Sequence, residues 1–306
     1  MELILENWRR FLGEGLKIKT EYPQEFTQFL SEVESHKDDV WVMFDTETTG
    51  LGYKLDFVQI TQIACVAYNT NGFVEGTSPE PIKGGIFNLK VKLQDSTLSM
   101  KDIQDKEPDK TKYRFPISKI LKMTNYEKKT VPFLEPVEVI TQFEEYLQKM
   151  SQSSPSGKII LIAKNSPFDV GVIHACYERI NRAPPNYDVW DSGAPVFRYF
   201  LPVVETMNNH PEATEEDRRI SKAITKTDKQ GKTRLSTSLG DLIVAFDIED
   251  KGWHEALADV KMSMDVLENV VNYVRRIVSK KDIDFSKTKF DAMAGDPYYG
   301  GRVPED

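Results

Sequence analysis

Asp45 and Glu47 flank a single threonine near the middle of the stretch VWVMFDTETTGLGY, residues 40–53. Side chains alternate along a β-strand, so residues two apart point the same way, and a strand through this stretch projects both carboxylates together. Residues 40–44 are an unbroken apolar run, the pattern of a strand covered on both faces inside a sheet. Like charges set this close repel unless something positive sits between them, and a divalent metal ion is the group that paired carboxylates hold. The same residues also read as the polar start of a loop, with Gly50 turning the chain and Thr48 or Thr49 bonding the backbone. Other parts of the chain decide between the two.

More acids stand where elements meet. In IILIAKNSPFD a buried strand gives way to Ser166, Pro167, Phe168 and Asp169. Serine as N-cap, proline at the first helical position and an acid three residues after the cap make a capping box, which accounts for Asp169 structurally. The same placement sets an ionised carboxylate just outside the C-terminal edge of a strand, where the helix dipole keeps it charged, and a metal ligand needs that state. In KGWHEALADVKMSMDVL, Asp259 lies one turn inside a helix, on the side opposite Lys261. His254 stands five residues earlier, roughly 140° around a helix that turns about 100° per residue, which places it on the preceding loop. Gly252 allows the turn that brings it there, and from that loop His254 swings over a site to which Asp259 points. Singly, His254 reads as a solvent-exposed N-terminal residue and Asp259 as a surface acid. Jointly with Asp45 and Glu47 they read as parts of one site.

The elements that must position these residues follow from apolar periodicity. PQEFTQFLSEVESH has helical spacing. VQITQIACVAYN alternates and is β-branched, a second strand after 40–44, and FVEG followed by GGIFNLKVKL supplies a third, with Gly84 and Gly85 marking a turn. ISKILKMTNYEKK and EPVEVITQFEEYLQKM are amphipathic, and SQSSPSG stops the second of them. KIILIA and NYDVWD are strands that each lead into a helix, and SLGDLIVAFDI and ALADVKMSMDVLENVVNYVRRIV are helices. The polar stretches 94–115 and 207–236 read as loops or insertions, the second mobile, and the tail from Lys280 as extended. Hairpin strands first, then strands separated by helices, imply a mixed sheet with helices packed on it.

With 306 residues, 40% of them hydrophobic, the chain is long enough for a sizeable core. A net charge of -8 argues against holding a long duplex by bulk electrostatics, although a carboxylate site that gathers divalent ions contributes acid itself. Basic residues cluster at 218–234 and 273–281, where a solvated face is the simpler reading and contact with a polyanion the alternative. Cys65 and Cys176 sit in apolar segments as small buried hydrophobes, outside any metal-spaced cluster. No apolar run has the length of a transmembrane span, and MELILENWRRFLGEG lacks a signal-peptide pattern, so the expectation is an intracellular, cytoplasmic protein.

In this order the segments FDTETTGL, AKNSPFD and HEALAD resemble the three motifs of the DnaQ-like exonuclease superfamily, in its DEDDh branch. That branch includes the proofreading subunits of bacterial replicative polymerases and ribonuclease T. The likeness covers about 40–278, with insertions. It implies an α/β fold, a ribonuclease H-like mixed sheet flanked by helices and carrying polar insertions. The chain would divide into an N-terminal helical extension, 1–39, an exonuclease domain, 40–279, and a C-terminal tail, 280–306.

Carried over residue by residue, the resemblance makes Asp45, Glu47, Asp169 and Asp259 the acids that hold two divalent ions, Mg²⁺ or Mn²⁺, with His254 as general base. Thr48 and Leu51 would contact sugar and base. Asn165 and Phe168 would help, although a phenylalanine at a helix start also reads as core. Asp191 either supports the site or caps a helix. Lys164 departs from the pattern, since many relatives have histidine there. The implied activity is metal-dependent 3′→5′ release of nucleoside 5′-monophosphates from DNA, preferably single-stranded 3′ ends, with nucleic acid and a replication protein as partners and no membrane. An exoribonuclease is an alternative, because the motifs act on phosphodiesters and do not decide about the 2′-hydroxyl. A catalytically silent nucleic-acid-binding or polymerase-docking module is another, against which the intact acids and histidine speak.

Overall fold

The structure is a computed structural model, and it describes residues 24–50, 58–69, 78–93, 131–185, 187–208, 210–227, 229–250, 252, 255–280, 282–285, 288, 290 and 298–299. The strands are β1 (Val40–Thr48), β2 (Ile60–Asn69), β3 (Glu80–Val91), β4 (Phe133–Leu134), β5 (Ile159–Ala163), β6 (Asp188–Asp191), β7 (Thr225–Thr227), β8 (Thr233–Leu235) and β9 (Tyr298–Tyr299). The helices are α1 (Gln24–Ser35), α2 (Pro136–Ser153), α3 (Ser166–Arg179), α4 (Leu201–Asn208), α5 (Glu215–Ile224), α6 (Leu239–Phe246) and α7 (Ala256–Val278). A π-helical turn, Val196–Phe200, leads into α4.

Seven strands form one sheet in the order β4-β3-β2-β1-β5-β6-β9, while β7 and β8 pair separately. β1, β2 and β3 make an antiparallel meander; β5 and β6 add in parallel on the other side of β1. This is the α/β, ribonuclease H-like mixed sheet expected from the motifs. Helices cover both faces, so each face buries its own apolar cluster. One cluster joins Val42, Phe44, Leu161 and Val189 to α2 and α3. The other joins Trp41, Met43, Ala64 and Ile162 to α1, α4, α5, α6 and α7. Trp41 meets Trp190 edge to face on this second side, at 5.2 Å between ring centroids.

Helix α1 belongs to the second cluster. Phe26, Leu30 and Val33 recur at helical spacing, all three are buried, and Phe26 packs edge-on against Tyr199 at 5.5 Å.

Two expectations are corrected. Gly84 and Gly85 do not mark a turn: β3 runs through them, and the register jumps from Tyr68↔Pro81 to Val66↔Ile86. Gly84 at φ +74 accepts the bulge without strain, and a Cβ on Gly85 would stand 2.9 Å from the Ile82 carbonyl oxygen. The stretch 207–236 is not a loop, because it holds α5 and the β7–β8 hairpin. Its charge hid a capping box, Thr214 with Asp217, and an apolar stripe of Ile220 and Ile224 on an otherwise polar helix. The stretches 94–115 and 117–129 lie outside the described residues. Among those described, no helix is long and apolar enough to cross a membrane.

Phe26→Ala tests whether α1 is part of the folding unit. Truncating this ring should cost about 3–5 kcal/mol in a single cooperative urea transition, the usual range for a buried phenylalanine. A midpoint within error of wild type would mean that α1 docks without contributing to the core.

Candidate active site

Side-chain parity along β1 continues past its apolar part. Trp41 and Met43 face α7, and Asp45 and Glu47 extend the same row. α7 packs across β1 and β2, and Asp259 stands in its first turn. One carboxylate oxygen from each of Asp45, Glu47 and Asp259 lies within 4.8 Å of the others. The two strand acids and the helix acid therefore meet.

Asp169 arrives from the other face. The capping box read from the sequence is not formed: the N-cap of α3 is Asn165, in the left-handed region at φ 64 and ψ 50, with no side-chain cap bond. Among the described residues the buried Ser166 hydroxyl has no partner. Asp169 turns instead toward β1, where its Oδ1 accepts from the Thr46 amide at 3.0 Å and from the Thr46 hydroxyl at 2.6 Å. The pairing of β5 with β1 ends at Met43↔Ile162, which leaves the β1 edge at Thr46 open to this carboxylate. Thr46 is the residue that reading by motif missed. Its signal was parity, since the middle residue of Asp-Thr-Glu must face away from both acids.

Burial dominates the electrostatics. It pushes the Asp45 carboxyl well above the usual range, and the charges of Asp169, Glu47 and Asp259 push further; Lys164 opposes them. Glu47 rises to about 8 through burial, then through Asp259 and Asp169. Asp169 rises to about 7 through burial, held down by the two Thr46 hydrogen bonds. Fully ionised, the group is short of counter-charge. An all-oxygen donor set of this sign suits a hard divalent cation, so the residues present fit Mg²⁺ or Mn²⁺.

Thr48, Asn165, Phe168 and Asp191 are held by local contacts. The Thr48 hydroxyl donates to the Gly50 carbonyl at 2.5 Å. The Asn165 amide donates to Asp191 Oδ1 at 3.1 Å, and the Gly193 amide donates to the same oxygen at 2.7 Å. Asp191 therefore caps its own turn and holds the left-handed turn after β5 in place. Phe168 is partly buried and packs against the cluster beneath α2 and α3. Gly252, at φ +108, turns the chain ahead of α7, with its amide donating to Asp250 Oδ1 at 2.9 Å. Leu51 and His254 lie outside the described residues.

No family model and no curated protein matches the chain. Among solved structures it is similar to exonuclease I of E. coli in complex with a dT13 oligonucleotide, with 15% identity, a TM-score of 0.48, and coverage of 76% of this chain and 41% of that one. The complex of the same enzyme with a dA16 oligonucleotide gives 15% identity and a TM-score of 0.49, covering 79% and 42%. A moderately thermophilic exonuclease I from Methylocaldum szegediense gives 19% and 0.47, over 79% and 42%. This chain thus spans about two fifths of the length of each.

The raised carboxylates tie metal-free stability to pH. A group whose folded pKa lies above its unfolded value binds more protons when folded, so its stability is fully present below the unfolded pKa and is lost as pH rises through the folded one. For Glu47 that window runs from 4.5 to about 8. In chelator, the melting temperature of the wild type should fall across this window. Glu47→Gln should flatten the fall and melt higher at its alkaline end, by roughly 2–8 °C if relief is about 1–2 kcal/mol. Identical pH slopes for the two proteins would show that burial and the neighbouring acids do not raise Glu47.

Proposed function

We propose that this chain is a metal-dependent 3′→5′ exonuclease that releases nucleoside 5′-monophosphates from DNA, preferably from single-stranded 3′ ends. The observation that carries the reading is the meeting of Asp45, Glu47 and Asp259, brought together from the central strand and a helix far along the chain. Burial and mutual repulsion make such a group costly to fold, and a divalent ion removes the cost. In this reading Asp169 is the fourth acid, its position held by Thr46. Bound Mg²⁺ or Mn²⁺, two ions by the family pattern, would stabilise negative charge on the scissile phosphodiester.

The chain's own groups do the rest. His254 takes the proton of the attacking water, for which an imidazole titrating near neutrality is suited. Thr48 and Leu51 hold the sugar and base of the terminal nucleotide, and Asn165 and Phe168 border it. A replication protein that presents single strands is the partner class that fits this chemistry, and the cytoplasm is the compartment.

A 5′-labelled single strand should give a ladder in Mg²⁺ and stay intact in chelator. Asp45→Ala or Asp169→Ala should abolish that ladder while circular dichroism shows the native fold. Near-normal rates in either variant would remove the site assignment; cleavage of a circular strand would remove the polarity. A matched RNA strand cut faster than the DNA would move the substrate to RNA.

His254→Ala should lower turnover by roughly 10² to 10⁴, the range for lost acid–base catalysis, and leave metal affinity nearly unchanged. Single-turnover rates across pH should lose the ionisation near that of histidine. A large loss of metal affinity in calorimetry would make His254 a ligand and not a base.

A further inference from the structure

Lys164 follows the last residue of β5 and opens the turn that leads into α3. Ile162, two residues before it, pairs with Met43, two residues before Asp45, and the charges of Asp45 and Asp191 act on its ammonium. Along β5, Ile160 and Ile162 face the α7 side while Leu161 and Ala163 face α2 and α3, and Lys164 opens the turn where the strand ends, as Asp45 follows the apolar part of β1. The residue is half-buried, and among the described residues its ammonium makes no hydrogen bond and no ion pair. Burial lowers its pKa from the usual lysine range, against the charges of Asp191 and Asp45.

The surrounding acids do not neutralise it by contact. Asp191 spends one oxygen on the amides of Asn165 and Gly193, and Asp45 shares its place with Glu47 and Asp259. A partly desolvated ammonium without a direct partner is costly, and a ligand anion relieves that cost. We infer that Lys164 is a phosphate-recognising group of the site beside the metal, its ammonium binding a non-bridging oxygen of the phosphate on the terminal nucleotide. This rests on the nuclease reading above. With the carboxylates engaged by metal, Lys164 is, among the described residues, the cation whose charge acts on Asp45. As a compact point charge it reads phosphate and not base, so it contributes equally to every sequence.

The test is calorimetric titration of the full chain with thymidine 5′-monophosphate and with thymidine, in Ca²⁺, on wild type, Lys164→Met and Lys164→Gln. Wild type should bind the monophosphate roughly 10- to 100-fold more tightly than the nucleoside, and both variants should cut that preference by about tenfold, leaving the part that Ca²⁺ supplies. Thymidine affinity should stay at the wild-type value, and KM for a strand should rise more than kcat falls. A folded variant that keeps the wild-type preference overturns the inference, as does a wild type that shows none. Strand hydrolysis in Mg²⁺ separates this from the wider reading. If wild type cuts strands and the variants keep the phosphate preference, Lys164 alone is removed. If wild type binds the monophosphate through Lys164 and cuts no strand, the anion site stands and the nuclease reading falls.

Discussion

Alternation along β1 is the constraint on which the rest of the molecule depends. The strand is central, paired with β2 on one edge and β5 on the other, so both of its faces must be covered. Val40, Val42 and Phe44 serve the core beneath α2 and α3; Trp41 and Met43 serve the core beneath α7. At the C-terminal end the same parity continues with polar residues. Asp45 and Glu47 turn to α7 and meet Asp259, while Thr46 turns to α3 and takes Asp169. A slip of one residue in this strand would exchange the side chains of the two cores and turn Asp45 and Glu47 away from Asp259.

Apolar layers on both faces give the acids their unusual state. Phe44 and Met43 are fully covered immediately before Asp45, so the carboxylates emerge from a dry interior into a narrow polar edge. Water screens them weakly there, and each raises the others. Two hydrogen bonds from Thr46 keep Asp169 lower than burial alone would leave it. Lys164 works in the same direction on Asp45. These local donors reduce the repulsion without removing it, which leaves the edge receptive to cations.

Much of this was legible in the sequence because it depends on short-range period. The strands at β1 and β2, the helices α2 and α7, and the shared face of Asp45 and Glu47 follow from periods of two and of about 3.6 residues. What period cannot tell is which of two local bonds a polar side chain makes. Ser166 and Asp169 had the spacing of a capping box, yet Asn165 took the N-cap position and Asp169 found Thr46. Composition misled at 207–236 for a related reason. A helix with one apolar stripe and a capping box can be charged everywhere else, and α5 is such a helix. Gly84 and Gly85 looked like a hairpin end because a bulge and a turn make the same demand on φ. Reading Asp45 through Thr48 as strand or as loop was settled by register, since β2 pairs with all four residues.

The bonds from Thr46 to Asp169 join residues 123 positions apart. Contacts at such separation form late, after β1 and β5 have aligned, because the chain between them must first lose its freedom. Interactions absent from the transition state act on escape from the native basin more than on entry to it. The link that orients Asp169 therefore acts as a latch in time. Chains would reach the native arrangement at much the same rate without it and leave it sooner, so Thr46 lengthens the life of the fully assembled acidic edge.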